Sequence, residues 1–251
     1  MRIVSWNIRA GGGRRADEIA AQIQRWQPDI VGLQEFRATA PSRSLAAALR
    51  DQGLVHQRST ASLSHPTANR LLVASRWPLR QPVLRRAPAE PGRWLLVSAA
   101  AAHPISIGVM HVPNRVTHRK YPYLDAVLAL ARAWRGGPAL LMGDTNSGWI
   151  ALDEEVPAFN RREDGWMTAL EEAGWRDGFR LLHGERREFT WYSPNGGNGF
   201  RLDEAFLNRP LAQRLTEVRY EWGSSTSNAT RRDALSDHAA LIVDLEMNGD
   251  V

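Results

Sequence analysis

Short apolar segments that end in polar or acidic residues recur along the chain, and they constrain its fold more than any other feature. The run Ser-Asp-His at 236–238 opens an apolar strand at 239–245, while Asn7, Glu35 and the Gly-Asp-Thr-Asn run at 143–146 follow apolar strands. A carboxylate beside an imidazole is costly to bury unless it has a partner or a chemical role. Because strand ends can meet at one edge of a sheet, we expect these polar side chains to gather at a single rim.

Hydrophobic periodicity predicts alternating strands and helices. The predicted helices lie at about residues 19–26, 42–52, 123–134 and 167–173. The predicted strands are 2–8, 30–35, 71–74, 94–101, 105–111, 139–142, 189–192, 201–207, 218–221 and 240–245. Several neighbouring strands have no helix between them, which favours mixed sheets over a fully parallel barrel. We therefore predict an α/β fold, a four-layer α/β/β/α sandwich of two packed mixed sheets with outer helices, formed as a single domain over residues 1–251.

Composition limits the location of the protein and the kind of metal it can hold. No run of about 18 apolar residues occurs, and the N-terminus enters a strand pattern without a secretory signal, so we expect a cytoplasmic protein without membrane contact. The chain has no cysteine, which excludes disulfides and thiolate-bound metals. Any metal must be held by oxygen or imidazole, which favours magnesium, calcium or manganese.

The formal net charge of +5 suits a polyanionic partner such as nucleic acid. However, only one of the 32 basic residues, Lys120, is a lysine, and alanine is abundant. A coding bias toward arginine and alanine would produce the same charge. The charge by itself therefore does not identify the partner.

Each polar strand end has an ordinary structural explanation when it is taken alone. Asn7 is typical of a turn, Glu35 of a surface carboxylate, and Asp237 of a loop with a capping aspartate. Together they supply what a hard divalent cation requires, which is one or two carboxylates, an amide oxygen and waters. We therefore interpret Glu35, Asn7 and Asp237 as a metal site.

The remaining polar residues match the needs of phosphodiester cleavage, which are an oriented water, stabilisation of charge on the phosphate oxygens and help for the leaving oxygen. Asp144 can accept a proton from water, Asn146 can donate to oxygen, and protonated His238 can bind a phosphate oxygen. A carboxylate normally orients such a histidine, and Asp203 is the candidate.

Five motifs, in this order, resemble the endonuclease/exonuclease/phosphatase superfamily: Ser-Trp-Asn at 5–7, Leu-Gln-Glu at 33–35, Gly-Asp-x-Asn at 143–146, Arg-Leu-Asp at 201–203 and Ser-Asp-His at 236–238. The resemblance implies a four-layer sandwich with one active-site rim. It implies that Asn7 and Glu35 contact the metal, with Glu35 as the principal ligand, and that Asp237 lies beside them.

The same resemblance assigns further roles near the scissile phosphate. Asp144 resembles the residue that positions or deprotonates the attacking water, Asn146 its phosphate-facing neighbour, and Asp203 the partner of the catalytic His238. His111 resembles a phosphate-side donor, and Asn114 would contact the scissile phosphate.

Substrate contacts can be predicted less directly, and the subfamily signals are mixed. Arg9 and His111 resemble the deoxyribonuclease I type, whereas the Phe-Thr-Trp-Tyr-Ser segment at 189–193 resembles the exonuclease III branch. The candidate substrate contacts, besides Asn114, are Arg9, Asn69, Arg93, Trp149 and the polar loop 224–232 with its Arg231-Arg232 pair. Trp149 is also typical of a packing residue, and Glu204, where an aromatic residue often follows the aspartate, has no assigned consequence.

Our leading hypothesis is a Mg²⁺-dependent phosphodiesterase, with Mn²⁺ as a substitute, that cleaves DNA as an endonuclease or exonuclease by water attack. One alternative keeps the fold and metal but acts on a nucleotide, an inositol phosphate or a lipid headgroup. Another is a nucleic-acid-binding module that has lost catalysis. No obligate protein partner is implied.

Overall fold

The computed structural model describes residues 1–82, 87–224 and 234–247, in which strands and helices alternate much as the periodicity predicts. The strands are β1 (Arg2–Asn7), β2 (Ile30–Phe36), β3 (His56–Ser59), β4 (Arg70–Ser75), β5 (Leu79–Arg80), β6 (Trp94–Ala99), β7 (Ile105–His111), β8 (Ala139–Asp144), β9 (Trp175–Asp177), β10 (Trp191–Tyr192), β11 (Gly199–Phe200), β12 (Asp203–Asn208), β13 (Leu215–Glu221) and β14 (Ala240–Leu245). The helices are α1 (Ala16–Trp26), α2 (Ala40–Asp51), α3 (Lys120–Ala133), α4 (Arg161–Glu172), α5 (Gly178–His183) and α6 (Arg209–Ala212).

Two six-stranded sheets form the centre of the molecule. The first has the order β13-β14-β1-β2-β4-β3, the second has the order β5-β6-β7-β8-β12-β9, and β10 and β11 form a separate two-stranded ribbon. Each large sheet contains a parallel pair, β1 with β2 and β7 with β8, among antiparallel neighbours. The prediction of mixed sheets is therefore confirmed.

The two sheets pack against each other through their inner faces, where a cluster of buried residues includes Val73 and Val243 from the first sheet and Ile107 and Leu140 from the second. Two further clusters fill the outer layers, one beneath α1 and α2 and the other beneath α3 and α4. Burial of these apolar faces supplies the main driving force for the arrangement. The predicted four-layer sandwich is confirmed.

Gly32 in β2 allows the sheets to approach closely. A Cβ atom there would lie 2.7 Å from side-chain carbons of both Val109 and Met142, which belong to the opposite sheet. Real Cβ atoms are not found so near their neighbours, and a larger residue would push the sheets apart.

Short elements are the ones that the periodicity does not predict, namely β3, β5, β9, β11, α5 and α6. All of them have only two to six residues, too few for a repeat of 2.0 or 3.6 residues to be visible. The predicted strand 189–192 is shortened to β10, which pairs with β11. None of the described helices has the length and apolar character needed to cross a membrane.

Candidate active site

The polar strand ends meet at one rim because of how the strands pair. The parallel strands β1 and β2 place Asn7 and Glu35 at the same edge of the first sheet. In the second sheet, parallel pairing sets His111 opposite Asp144, and antiparallel pairing sets Asp203 opposite the same Asp144. The rim is therefore formed jointly by the two sheets.

Asp144 contacts residues from both sheets. Asn7 Nδ2 donates to Asp144 Oδ2 at 3.1 Å, while the Nε2 atoms of His111 and His238 lie 3.5 Å and 3.9 Å from that oxygen. Burial raises the pKa of Asp144 to about 6, although the nearby His238 charge lowers it. Asp144 is thus ionised at neutral pH and takes up a proton when the pH falls to about 6.

His238 is paired with a buried carboxylate. Its Nδ1 lies 2.9 Å from Asp203 Oδ2, and although burial lowers the pKa of His238, Asp203 and Asp144 raise it to about 9. Trp6 Nε1 donates to the carbonyl of His238 at 3.0 Å, and Ser236 Oγ donates to the carbonyl of Asn7 at 2.6 Å. These bonds hold the 236–238 segment against β1, with a protonated imidazole at the rim.

The end of β8 and the turn that follows it have unusual backbone conformations. Asn146 adopts φ 48° and is held by two hydrogen bonds, from its own N–H to Asp144 Oδ1 at 3.0 Å and from its Nδ2 to the carbonyl of Val112 at 2.8 Å. Gly143 has φ 139°, and a Cβ there would collide with the backbone oxygen of Met110. Such conformations persist only where the surroundings enforce them, and they are frequent in active sites.

Glu35 is turned toward the rim by a β-bulge in β2 and has φ 59°. Its Oε2 accepts a 2.6 Å hydrogen bond from the backbone N–H of Ala10. Burial and the charge of Arg9 lower the pKa of Arg15, whereas the carboxylates of Asp237, Glu18 and Glu35 raise it. Glu35 is half-buried and Asp237 exposed, so both face accessible space.

The donor chemistry at Glu35, Asn7 and Asp237 fits a hard, hydrated cation. Asn7 contributes an amide oxygen, which here accepts a 3.1 Å bond from the N–H of Arg9. Across the part of the chain that the structure describes, no group of three His, Cys, Asp or Glu residues lies close enough to hold a metal alone. Structural and catalytic zinc needs three or four such ligands, whereas magnesium keeps several waters and takes one or two carboxylates.

An aromatic pocket of about 180 Å³ opens beside Asn146. Its lining residues are Asn114, Arg115, Lys120, Asn146, Ala158, Phe159, Trp191, Phe200 and Leu202. The ring of Trp191 lies 6.0 Å from that of Phe200 and 6.3 Å from the imidazole of His238. The pocket thus adjoins the Asp144–His238 cluster and offers apolar faces with a polar edge.

Three predicted substrate contacts lie at this rim. Arg9 follows Asn7 and is exposed, and Asn114 is exposed at the edge of the pocket. Arg93 lies beside His111, whose carbonyl accepts a 3.4 Å bond from Arg93 Nη1. Burial, and then the charges of Arg93 and His238, place the pKa of His111 well below its usual range, so His111 is neutral near pH 7.

The other predicted contacts are placed differently. Asn69 accepts a 2.7 Å hydrogen bond from Arg37 Nε, which ties together the segments after β2 and before β4. Trp149 packs half-buried against the cluster beneath α3 and α4 and does not line the pocket. Arg231 and Arg232 lie outside the described residues.

One buried residue that sequence reasoning missed supports the turn after β8. Lys120 is 2% exposed, and its Nζ donates to the carbonyl of Asn146 and forms an ion pair with the fully buried Glu163. The only sequence signal was that Lys120 is the single lysine of an arginine-rich chain. Its burial could not be inferred from that.

Comparison with known proteins identifies the family. The model of the Endonuclease/Exonuclease/phosphatase family matches residues 4–238, and the chain belongs to this family. Exodeoxyribonuclease III of Haemophilus influenzae is 25% identical over 254 residues, which cover 87% of this chain and 91% of that protein.

Solved structures show the same fold. A 3′-5′ exonuclease (NExo) from Neisseria meningitidis superposes with a TM-score of 0.78 at 22% identity, covering 98% of this chain and 100% of that chain. An AP endonuclease from Archaeoglobus fulgidus gives a TM-score of 0.80 at 20% identity, with coverage of 98% and 100%. A structure described as the Neisseria 3′ phosphatase NExo bound to a product DNA hairpin gives 0.76 at 22% identity, with coverage of 98% and 99%.

Proposed function

We propose that this member of the Endonuclease/Exonuclease/phosphatase family is a divalent-metal-dependent phosphodiesterase that cleaves DNA by attack of water on phosphorus. The observation that carries the proposal is the position of Asp144, which is bonded to Asn7 of the opposite sheet and flanked by two imidazoles of different protonation. Relatives named as an exodeoxyribonuclease, a 3′-5′ exonuclease and an AP endonuclease support DNA as the substrate.

Asp144 is proposed to orient and deprotonate the attacking water. Its pKa of about 6 leaves it ionised at neutral pH, yet basic enough to accept a proton in the transition state. The bond from Asn7 Nδ2 and the bond from the N–H of Asn146 fix both carboxylate oxygens. The carboxylate therefore reaches the reaction already oriented, which removes an entropic cost from the barrier.

His238 is proposed to donate to a phosphate oxygen as negative charge develops there. A pKa of about 9 keeps its imidazole protonated through neutral pH. Asp203 accepts a hydrogen bond from Nδ1–H of the ring. The Nε2–H group therefore remains available at the rim near Asp144. A fixed positive donor in a buried site lowers the energy of the charged transition state.

The neighbours of His238 are proposed to hold the substrate. Asn146 and neutral His111 can donate to phosphate oxygens, Asn114 and Arg93 lie where flanking phosphates would pass, and Arg9 extends from the β1 rim. Trp191 and Phe200 present faces on which a sugar or base can stack.

Glu35 and Asn7, with Asp237 beside them, are the residues proposed to hold the metal, which we take to be Mg²⁺ with Mn²⁺ as a substitute. A bound divalent ion would stabilise charge on the phosphate oxygens and on the leaving group. The Ala10 N–H that binds Glu35 Oε2 leaves the other carboxylate oxygen available for this purpose. We place the protein in the cytoplasm, with cellular DNA as its substrate.

Cleavage of labelled oligonucleotides tests the proposal. Matched single-stranded, double-stranded, abasic and 3′-phosphate substrates are incubated with Mg²⁺, with Mn²⁺ and with a chelator, and the product ends are identified. We expect metal-dependent cleavage of at least one DNA substrate, reduced by a factor on the order of 100 or more in Asp144→Asn. A folded protein that cleaves none of them, but releases phosphate from a nucleotide or inositol phosphate, would show that the substrate class is wrong.

A further inference from the structure

A second acidic residue lies directly behind the candidate active site. Glu204 follows Asp203 in β12, and because successive strand residues point to opposite faces, Asp203 reaches His238 while Glu204 points toward Thr145. Glu204 is fully buried, with an exposure of 0%. The resemblance to the family does not account for it, since an aromatic residue often stands at this place.

The hydrogen bonds around Thr145 favour a proton on Glu204. Thr145 Oγ1 accepts from the N–H of Ser147 at 3.2 Å, and three oxygens surround it, namely the carbonyls of Ser147 at 2.9 Å and Leu202 at 3.1 Å and Glu204 Oε2 at 3.0 Å. The hydroxyl has a single hydrogen, and neither carbonyl can donate. With Glu204 ionised, three acceptors would compete for that hydrogen, whereas a protonated Glu204 donates to Thr145 and leaves the hydrogen for a carbonyl.

The charges nearby lead to the same protonation state. Arg201 is fully buried and pairs with Asp153 at 2.7 and 2.8 Å and with Asp177 at 2.5 Å, and Arg180 also pairs with Asp153. Two arginines thus balance two aspartates. Arg201 Nη2 is 3.4 Å from Glu204 Oε1, too far for a strong bond, so an ionised Glu204 would be an uncompensated buried charge.

Burial acts in the same direction and raises the pKa of Glu204 well above its usual value, with Asp153 and Asp177 adding to the rise and Arg201 opposing it. The hydroxyl of Tyr220 completes the surroundings, as it accepts from Arg201 Nη1 at 3.2 Å and donates to the carbonyl of Asp203.

We propose that Glu204 is a positioning residue, a neutral carboxylic acid that donates to Thr145 and thereby fixes the turn carrying Asp144 and Asn146. Thr145 lies between those two residues, and Asn146 has a left-handed conformation that costs energy in residues other than glycine, although asparagine tolerates it better than most. The hydrogen bond between Glu204 and Thr145 supplies the constraint that this conformation requires. The inference rests on the proposed phosphodiesterase function for its consequence in turnover.

The activity test compares Glu204→Gln with Glu204→Ala. The amide of glutamine is neutral, has the same shape and can donate to Thr145, so we expect kcat within about twofold of the unsubstituted protein. The alanine variant should lose about 10- to 100-fold in kcat with a smaller change in KM, because the turn displaces Asp144 while Arg9, Arg93 and Asn114 outside the turn still hold the substrate. Equal losses in both variants, or none in Glu204→Ala, would overturn the proposal.

Asn208→Ala is the matched control for stability. Asn208 ends the same strand as Glu204 and is 7% exposed, yet its side chain bonds the N–H of Ala139 and the carbonyl of Gly137 rather than Thr145. Assays are run well below the melting temperature of each variant. Asn208→Ala should lower the melting temperature while kcat stays within about twofold, and a loss of kcat comparable with that of Glu204→Ala would contradict a specific role for Glu204.

Two further measurements do not depend on activity. Hydrogen exchange of the Ser147 amide should be slow in the unsubstituted and glutamine proteins and about tenfold or more faster in Glu204→Ala. The infrared spectrum at pH 8 should contain a protonated carboxyl band that is missing in Glu204→Gln. If the unsubstituted protein cleaves no DNA, the proposed function fails, while these two measurements still decide the inference: unchanged exchange or no such band would overturn it.

Discussion

The Nδ1 atom of His238 lies 2.9 Å from Oδ2 of Asp203, and this hydrogen bond joins the two sheets of the sandwich. His238 precedes β14 of the first sheet, and Asp203 begins β12 of the second. A second bond between the sheets, from Asn7 to Asp144, lies beside it. The rim is therefore held rigid from both sides, and its protonation states follow from contacts that exist only when the sheets are packed.

Replacing the partner of His238 should lower the pKa of its imidazole. In Asp203→Asn the attraction of the carboxylate is lost while burial still opposes the charged ring, so we expect the pKa to fall from about 9 by about 1 to 3 units. Nuclear magnetic resonance titration of the metal-free protein measures this directly. An unchanged His238 titration would show that Asp203 does not set its charge.

The same shift makes stability depend on pH. The folded state raises the pKa of His238 from 6.5 to about 9, so folding favours the protonated ring. The stabilisation from this group is complete below pH 6.5 and is lost as the pH rises through about 9. Chemical unfolding of the metal-free protein between pH 6 and 10 should show this loss, and Asp203→Asn should show less of it.

Turnover should follow a bell-shaped pH profile. Asp144 must be ionised to act as a base, so kcat/KM should rise through about pH 6, and His238 must be protonated, so it should fall through about pH 9. Asp144→Asn should lose a factor on the order of 100 to 10,000 in kcat and, in what activity remains, the rise near pH 6. Persistence of that rise in the variant would assign it to another group.

Removing the carboxylate of Glu35 should weaken metal binding more than folding. Glu35→Gln keeps the shape of the side chain and the acceptor for the Ala10 N–H but removes the charge that a divalent cation requires. We expect the Mg²⁺ concentration for half-maximal activity to rise about tenfold or more, with a nearly unchanged melting temperature without metal. Glu185→Gln, at an exposed carboxylate, is the control and should behave like the unsubstituted protein. Equal Mg²⁺ dependence in both variants would place the metal elsewhere.

Replacements of Lys120 and Glu163 should have coupled effects on the free energy of unfolding. Lys120→Met leaves the buried Glu163 with a single cationic partner, Arg115 at 3.5 Å, and we expect it to cost about 3–5 kcal/mol in the free energy of unfolding. Adding Glu163→Gln removes that charge and should recover part of the loss, because the glutamine can still accept from the N–H of Asn160. Chemical denaturation of the two single variants and the double variant measures the coupling. Additive losses would mean that the two residues act independently.

Many features of the fold could be predicted because they depend on near neighbours in the sequence. Ile19, Ile23 and Trp26 lie on one face of α1 with helical spacing, and that face is buried as predicted. Apolar runs such as the one in β14 mark buried strands without reference to any other part of the chain. Elements of two to four residues, such as β5 and β11, contain too little pattern and were missed.

The candidate site, like the fold, was predictable from the sequence only in part. The sequence by itself determined which chemical groups are present at the strand ends and their order along the chain, because an apolar strand followed by Asn7, Glu35 or Asp144 can be recognised locally. Only the tertiary structure decided their charges. Asp144, Asp203 and Glu204 have similar side chains, but the first adjoins two imidazoles, the second pairs with one, and the third is enclosed with Thr145 and Arg201. Burial and partners far away in the sequence set a proton affinity, and neither exists until the two sheets are packed.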